Sequence, residues 1–172
     1  MENSIFTSIV LRCHPGVPMN KRDSTFSQSM NLAETTLTLQ SGRLYCASVD
    51  DPILEFRFAN ARIVEAPVSH TPTKFVYPGA IPSIAADGSR NGIVWASENG
   101  DTAVLHAYDA SDLAHELYNS NQAPSGRDHF GAGNKFITPM IARGKVYVGT
   151  TDGVGVFGLL PNSEPQPAQS RP

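Results

Sequence analysis

The sequence predicts an all-β chain of about three antiparallel sheets, each of about four strands. Three observations carry this reading: an internal repeat, turn dipeptides placed for hairpins, and a composition poor in charge. Of 172 residues, 17% are charged and 40% hydrophobic, and Gly (14) and Pro (13) are abundant. That mixture favours strands and turns over long helices.

The repeat has three members. Gly42-Arg-Leu-Tyr45-Cys-Ala-Ser is followed by Ile53-Leu-Glu-Phe-Arg-Phe58. Gly92-Ile-Val-Trp95-Ala-Ser is followed by Ala103-Val-Leu-His-Ala-Tyr108, and Gly144-Lys-Val-Tyr147-Val-Gly-Thr by Gly155-Val-Phe-Gly-Leu159. The glycines at 42, 92 and 144 and the aromatics at 45, 95 and 147 are both 50 and 52 residues apart. A period near that value is what one four-stranded propeller blade occupies. A small twisted sheet cannot bury both faces alone, so such units stack. The equivalence of Tyr45, Trp95 and Tyr147 points to core between the units rather than to a stacking platform.

Asp87-Gly88 and Asn91-Gly92 precede the second strand of the middle unit. Asn99-Gly100 follows it, and Asp152-Gly153 takes the matching place in the third unit. Such pairs accept the positive φ of tight hairpins, and short hairpins force antiparallel pairing. Further strands are expected at Thr35 to Gln40, Pro82 to Ala86, Phe136 to Ala142 and His115 to Asn119. Ala110 to Leu117 has some helical character, but a turn leading into an outer strand suits it better. The expected organisation is a leader at 1–33, a partial β-propeller at 34–160 with blades near 35–66, 80–121 and 135–160, and a disordered Pro-rich tail at 161–172.

The net charge of -3 comes without a basic patch, which argues against nucleic acid. No run approaches the ~18 apolar residues of a membrane span. Ile5 to Leu11 is a short apolar stretch with Glu2 where a signal peptide carries positive charge, so it is not read as one. Cys46 sits in an apolar strand pattern that suits a buried thiol, and a disulfide with Cys13 stays open. The His residues at 14, 70, 106, 115 and 129 lack zinc-helix spacing, and His106 reads as a packed or hydrogen-bonded strand residue.

Several stretches resemble bacterial quinoprotein-type propellers with pyrroloquinoline-quinone-like repeats. They are Tyr77-Pro-Gly-Ala-Ile-Pro-Ser-Ile84, Asn91-Gly-Ile-Val-Trp-Ala96, Leu105-His-Ala-Tyr-Asp-Ala110, Glu116-Leu-Tyr-Asn-Ser-Asn-Gln122 and Gly126-Arg-Asp-His-Phe-Gly-Ala-Gly-Asn-Lys-Phe-Ile-Thr-Pro139. Ala107-Tyr-Asp109 keeps the start of the linking phrase of that repeat. Leu113 or Ala114 replaces its usual glycine, and Tyr118 stands near its usual tryptophan. The resemblance implies the C-terminal blades of a larger ring, in a group whose members are usually exported. It also implies quinone and calcium as cofactors of a complete ring. The catalytic members use an Asp base, a Ca²⁺ held by carboxylate and amide oxygens, and often adjacent cysteines. This sequence has no adjacent cysteines and no assignable calcium set, so no catalytic residue is carried over and no cofactor is expected on this chain alone.

Arg127, Asp128, His129, Asn134 and Lys135 crowd one loop and form the candidate ligand-binding set, since loops on rigid scaffolds carry function. The other reading is that Arg127 and Asp128 brace neighbouring loops. Gly131-Ala-Gly-Asn-Lys135 lacks the Gly-Lys-Ser/Thr ending of a phosphate loop. Asp50, Asp51 and Asp109 read as turn and strand-end residues. The expected function is a non-catalytic propeller segment serving as scaffold or binding surface. The alternative is part of a quinone-dependent oxidoreductase whose catalytic residues lie in missing blades. Expected partners are those blades, or further copies associating through exposed faces near Phe56 or Val156. A donated outer strand from Ile5 to Leu11 is the other candidate cover.

Overall fold

The structure is a computed structural model that describes residues 36–40, 42–59, 62–64 and 66–160. The leader, with Cys13 and Ile5 to Leu11, and the tail from 161 lie outside the described residues. Within them the chain forms three antiparallel sheets. Sheet 1 holds β1 (Thr36–Gln40), β2 (Arg43–Ala47), β3 (Asp51–Ala59), β4 (Arg62–Ile63) and β5 (Ser69–Phe75). Sheet 2 holds β6 (Ser83–Asp87), β7 (Arg90–Glu98), β8 (Val104–Asp109) and β9 (Asp112–Asn119), and sheet 3 holds β10 (Met140–Ala142), β11 (Lys145–Gly149) and β12 (Val154–Gly158). Each sheet opens with consecutive antiparallel hairpins, as the turn dipeptides require. The turn before β11 is a two-residue hairpin in which Arg143 (φ 51) and Gly144 (φ 70) both take the left-handed conformation. Among the described residues no helix is long and apolar enough to cross a membrane.

Four local expectations change. The first sheet does not stop near 66. Ser69–Phe75 adds β5 alongside β3, and its Pro72 is tolerated because this strand is an edge. The strand expected from Phe136 starts only at Met140, because Phe136 has φ 61 and Pro139 has no N–H to give a ladder. The outer strand of sheet 2 begins at Asp112 rather than His115, and Ala110 and Ser111 form the turn before it. Asn91-Gly92 lies inside β7, with Asn91 at φ 54.

The sheets stack in chain order. One core cluster joins Tyr45, Ala47, Ile53 and Phe75 of sheet 1 to Val94, Ala96, Tyr108 and Leu113 of sheet 2. In a second, Leu105 of sheet 2 is buried with Val146 and Val148 of sheet 3, and the partly buried Trp95, Ile141 and Phe157 pack against them. Side chains alternate along a strand, so each repeat unit splits in one way. The central aromatic faces the following sheet, and its two flanking residues face the preceding one. Tyr45 and Trp95 obey this rule, with Val94, Ala96, Val146 and Val148 on the reverse faces. Tyr147, the third member, points away from both clusters. Cross-strand pairing puts Met140 and Val156 on its face.

The stacking order fixes unequal roles for equivalent residues. Alanine at the fully buried Tyr45 should cost about 3–5 kcal/mol, as truncation of a packed aromatic does, and at the partly buried Trp95 somewhat less. At Tyr147, partly buried but outside both clusters, it should cost about 1 kcal/mol or less. Urea denaturation of the three variants checks this, and equal losses at all three positions would contradict the stacking order.

Candidate functional site

The five loop residues singled out in the sequence follow β9. Arg127 donates to Asp128 through Nε (2.7 Å) and Nη2 (3.0 Å). The Tyr118 hydroxyl, from β9, donates to Asp128 Oδ2 at 2.6 Å. The guanidinium, followed by the phenol, holds the Asp128 carboxyl down at about 2. Burial, with the neighbouring carboxylate, raises Tyr118. His129 folds back over Gly126, whose carbonyl takes the His129 N–H at 3.0 Å. Asn134 Oδ1 accepts the Lys135 N–H at 2.9 Å, and Lys135 Nζ lies 4.9 Å from the centre of the Tyr77 ring. Arg127 and Asp128 therefore brace the loop against β9, while Asn134 and Lys135 make their contacts elsewhere. The cleft that Asn134 lines with Gly79, Ser97 and Phe136 has about 10 Å³ of free volume, room for about one water.

The intervening residues 131–133 tie sheet 2 to sheet 3. Ala103 N–H reaches Gly131 O at 2.9 Å, Gly133 N–H reaches Gly100 O at 2.8 Å, and Gly133 bridges Thr150. A Cβ at Gly133 would stand 2.9 Å from Asn99 Cα, so glycine there serves a close backbone approach.

Two ionic networks lie away from that loop; of their residues the sequence singled out His106 alone, as a packed or hydrogen-bonded strand residue, and it is both. Glu55 of β3 is fully buried and accepts from Arg43 of β2 and from Ser69 Oγ of β5 (2.6 Å). From this knot, contacts cross to the turn before β9: Leu113 N–H to Ser69 Oγ (3.1 Å), Tyr45 hydroxyl to Ala110 O (2.5 Å) and Arg43 Nη1 to Ser111 O (3.4 Å). Burial, then the Glu55 charge, pushes the Tyr45 phenol up to about 12. In the second network, His106 of β8 lies between Glu116 (Nδ1 to Oε1, 2.6 Å) and Glu98 (Nε2 to Oε1, 2.8 Å). Burial pulls this imidazole's pKa down, but hydrogen bonds and charge from Glu98 and Glu116 outweigh it and hold the pKa above the ordinary 6.5. The only sequence signal for either network was a charged or titratable residue at an inward position of an apolar strand.

An open cleft of about 380 Å³ lies at the end of sheet 2 that holds the β8–β9 turn, lined by Asn91, Ile93, Asp109, Ser111 and Leu117 and by Arg43 of sheet 1. Its charges are spent on structure. Arg43 serves Glu55, and Asp109 Oδ1 accepts the Ser111 N–H (2.7 Å) and hydroxyl (2.6 Å), which lowers its pKa. Cys46 is buried and disulfide-bonded, which corrects the reading of it as a buried thiol. Among the described residues no three His, Cys, Asp or Glu side chains gather as a metal shell would. No family model, curated protein or solved structure matches the chain.

The Asp128 pair is an exposed-edge interaction, with 53% of the Arg127 side chain open to solvent. Asp128→Asn should therefore cost no more than about 1 kcal/mol at neutral pH. The folded pKa is depressed, so the contribution is present above 3.8 and lost as pH falls through about 2. Urea titrations of both proteins across this acid range check it: the difference between them should shrink to nothing at the acid end.

Proposed function

We propose that this chain is a non-catalytic segment of a β-propeller of the quinoprotein type, a scaffold whose third sheet offers its outer face to a further sheet of the same repeat. The observation that carries the reading is the orientation of Tyr147. Tyr45 and Trp95 each enter the core shared with the next sheet, and Tyr147, their equivalent, has no next sheet among the described residues. Around it Met140 (58% exposed), Val154 (63%) and Val156 (55%) form one apolar face. Neighbouring apolar side chains of this kind mark an interaction surface.

The kind of partner follows from the two interfaces inside the chain. At each, an aromatic of one sheet meets small or β-branched residues flanking the aromatic of the next. Continuing that rule puts an aliphatic sheet face of the same pattern over Tyr147. The scaffold reading is supported further by the chemistry of the buried charges. Glu55 and His106 are each spent on joining strands. The reading assigns no substrate, quinone or calcium to this chain.

In a preparation of the chain alone, another copy is the available source of such a face. Sedimentation velocity should show association that grows with concentration. Val156→Lys should shift the distribution to monomer without lowering thermal stability, because Val156 contributes to neither core cluster. A wild-type chain that stays monomeric at high concentration would overturn this reading.

A further inference from the structure

We propose that Glu98, His106 and Glu116 form a proton-operated clamp across β7, β8 and β9, closed while the imidazole carries two protons and released when it loses one. The inference does not rest on the propeller reading.

The geometry is that of a bridging cation. Nδ1 lies 2.6 Å from Glu116 Oε1, and Nε2 lies 2.8 Å from Glu98 Oε1. Only an imidazolium donates from both nitrogens; a neutral ring turns one lone pair toward a carboxylate oxygen. The register builds the site. Ala96 is opposite His106, which brings Glu98 of β7 onto the same face, and Glu116 of β9 is opposite Tyr108, the next residue of β8 on that face. The three groups therefore pin three neighbouring strands at one level. Asn119 Nδ2 donates to Glu116 Oε2 at 2.8 Å and fixes the outer carboxylate.

The clamp lies on the face of sheet 2 that packs against sheet 1. The His106 ring meets Phe75 of β5 edge-on, with centroids 5.8 Å apart, and stacks on Tyr108 at 5.7 Å. The His106 side chain is 5% exposed, while Glu98 is 36% and Glu116 22% exposed, so protons can reach the site through the carboxylates. With the imidazolium present, the three groups sum to one negative charge. Without its proton, two carboxylates of adjoining strands face an uncharged ring, and the outer strand β9 loses its ionic tie.

The other titratable groups near the ring do not replace that proton. Burial raises the Tyr108 phenol, which stays neutral through the range in question. From β5 the aromatic Phe75 faces the ring, while His70 and Lys74 alternate onto the opposite, exposed side. The folded-state pKa of His106 is raised, so the clamp contributes fully below the unfolded value of 6.5 and is lost as pH rises through the folded value. The device opens toward alkaline pH, the reverse of an acid-triggered histidine switch.

Nitrogen-detected NMR of ¹⁵N-histidine-labelled full chain tests the protonation state. At neutral pH, His106 should show two N–H ring nitrogens, and Glu98→Gln should lower its titration midpoint. Between about pH 6 and 9 the unfolding equilibrium constant should rise, by about tenfold for each unit by which the folded midpoint exceeds the unfolded one. Amide exchange in β9, corrected for its intrinsic pH dependence, should accelerate over that range more than in β11. In His106→Gln both slopes should flatten, and if that variant does not fold, Glu98→Gln provides the comparison. A singly protonated His106 ring at neutral pH would overturn the proposal. So would a stability profile unchanged by Glu98→Gln.

Discussion

A carboxylate cannot sit in a sheet interface without compensation, and Glu55 imposes that constraint on the whole first half of the molecule. Its side chain is fully buried between β2 and β5. An unpaired charge there would cost several kcal/mol. Arg43 supplies the countercharge, with Arg57 Nε further off at 3.9 Å, and Ser69 supplies a hydroxyl. Satisfying Glu55 therefore fixes β5 beside β3, which the local sequence does not demand. It also aims Arg43 and Ser69 at the Ala110–Ser111 turn and Leu113, so the same carboxylate sets where sheet 2 docks.

The two interfaces use different physics. Between sheets 1 and 2, side chains reach backbone: the Tyr45 hydroxyl, Arg43 and Ser69 all bond main-chain groups at the entrance to β9. Between sheets 2 and 3 the side-chain contact is largely apolar, through Trp95, Leu105, Val146 and Val148, and Trp95 Nε1 is buried without a hydrogen bond. There the polar joining comes from main chain, through residues 131–133, and from the Ser83 hydroxyl to Pro139 O. Of the glycines of that loop, which superficially suggest phosphate binding, Gly133 serves a close backbone approach and Gly131 takes a positive φ of 100.

The repeat was legible because it rests on local chemistry. Gly42 and Gly144 take positive φ in turns, and the aromatics 45, 95 and 147 occupy one register position in three sheets. β5 was not legible, because Thr71-Pro72-Thr73 reads as a break and becomes a strand only beside β3. Phe136 to Pro139 looked like strand by residue type, but positive φ and the prolyl nitrogen exclude a ladder. Of the candidate site, the local pairing of Arg127 and Asp128 could be anticipated from adjacency. The Glu55 and His106 networks could not, since each joins residues from three strands and depends on registers that no short window contains.

Strength of the Glu55 brace is the quantity on which this account turns, and denaturant stability of Arg43→Met beside Arg43→Met/Glu55→Leu measures it. Removing the guanidinium alone leaves a buried charge whose remaining strong partner is one hydroxyl. The account predicts a loss of about 3–5 kcal/mol for the single variant, with much of it regained in the double variant, where no charge is left to compensate. A loss below about 1 kcal/mol in Arg43→Met would contradict it, because the carboxylate would then not be the constraint that joins sheets 1 and 2.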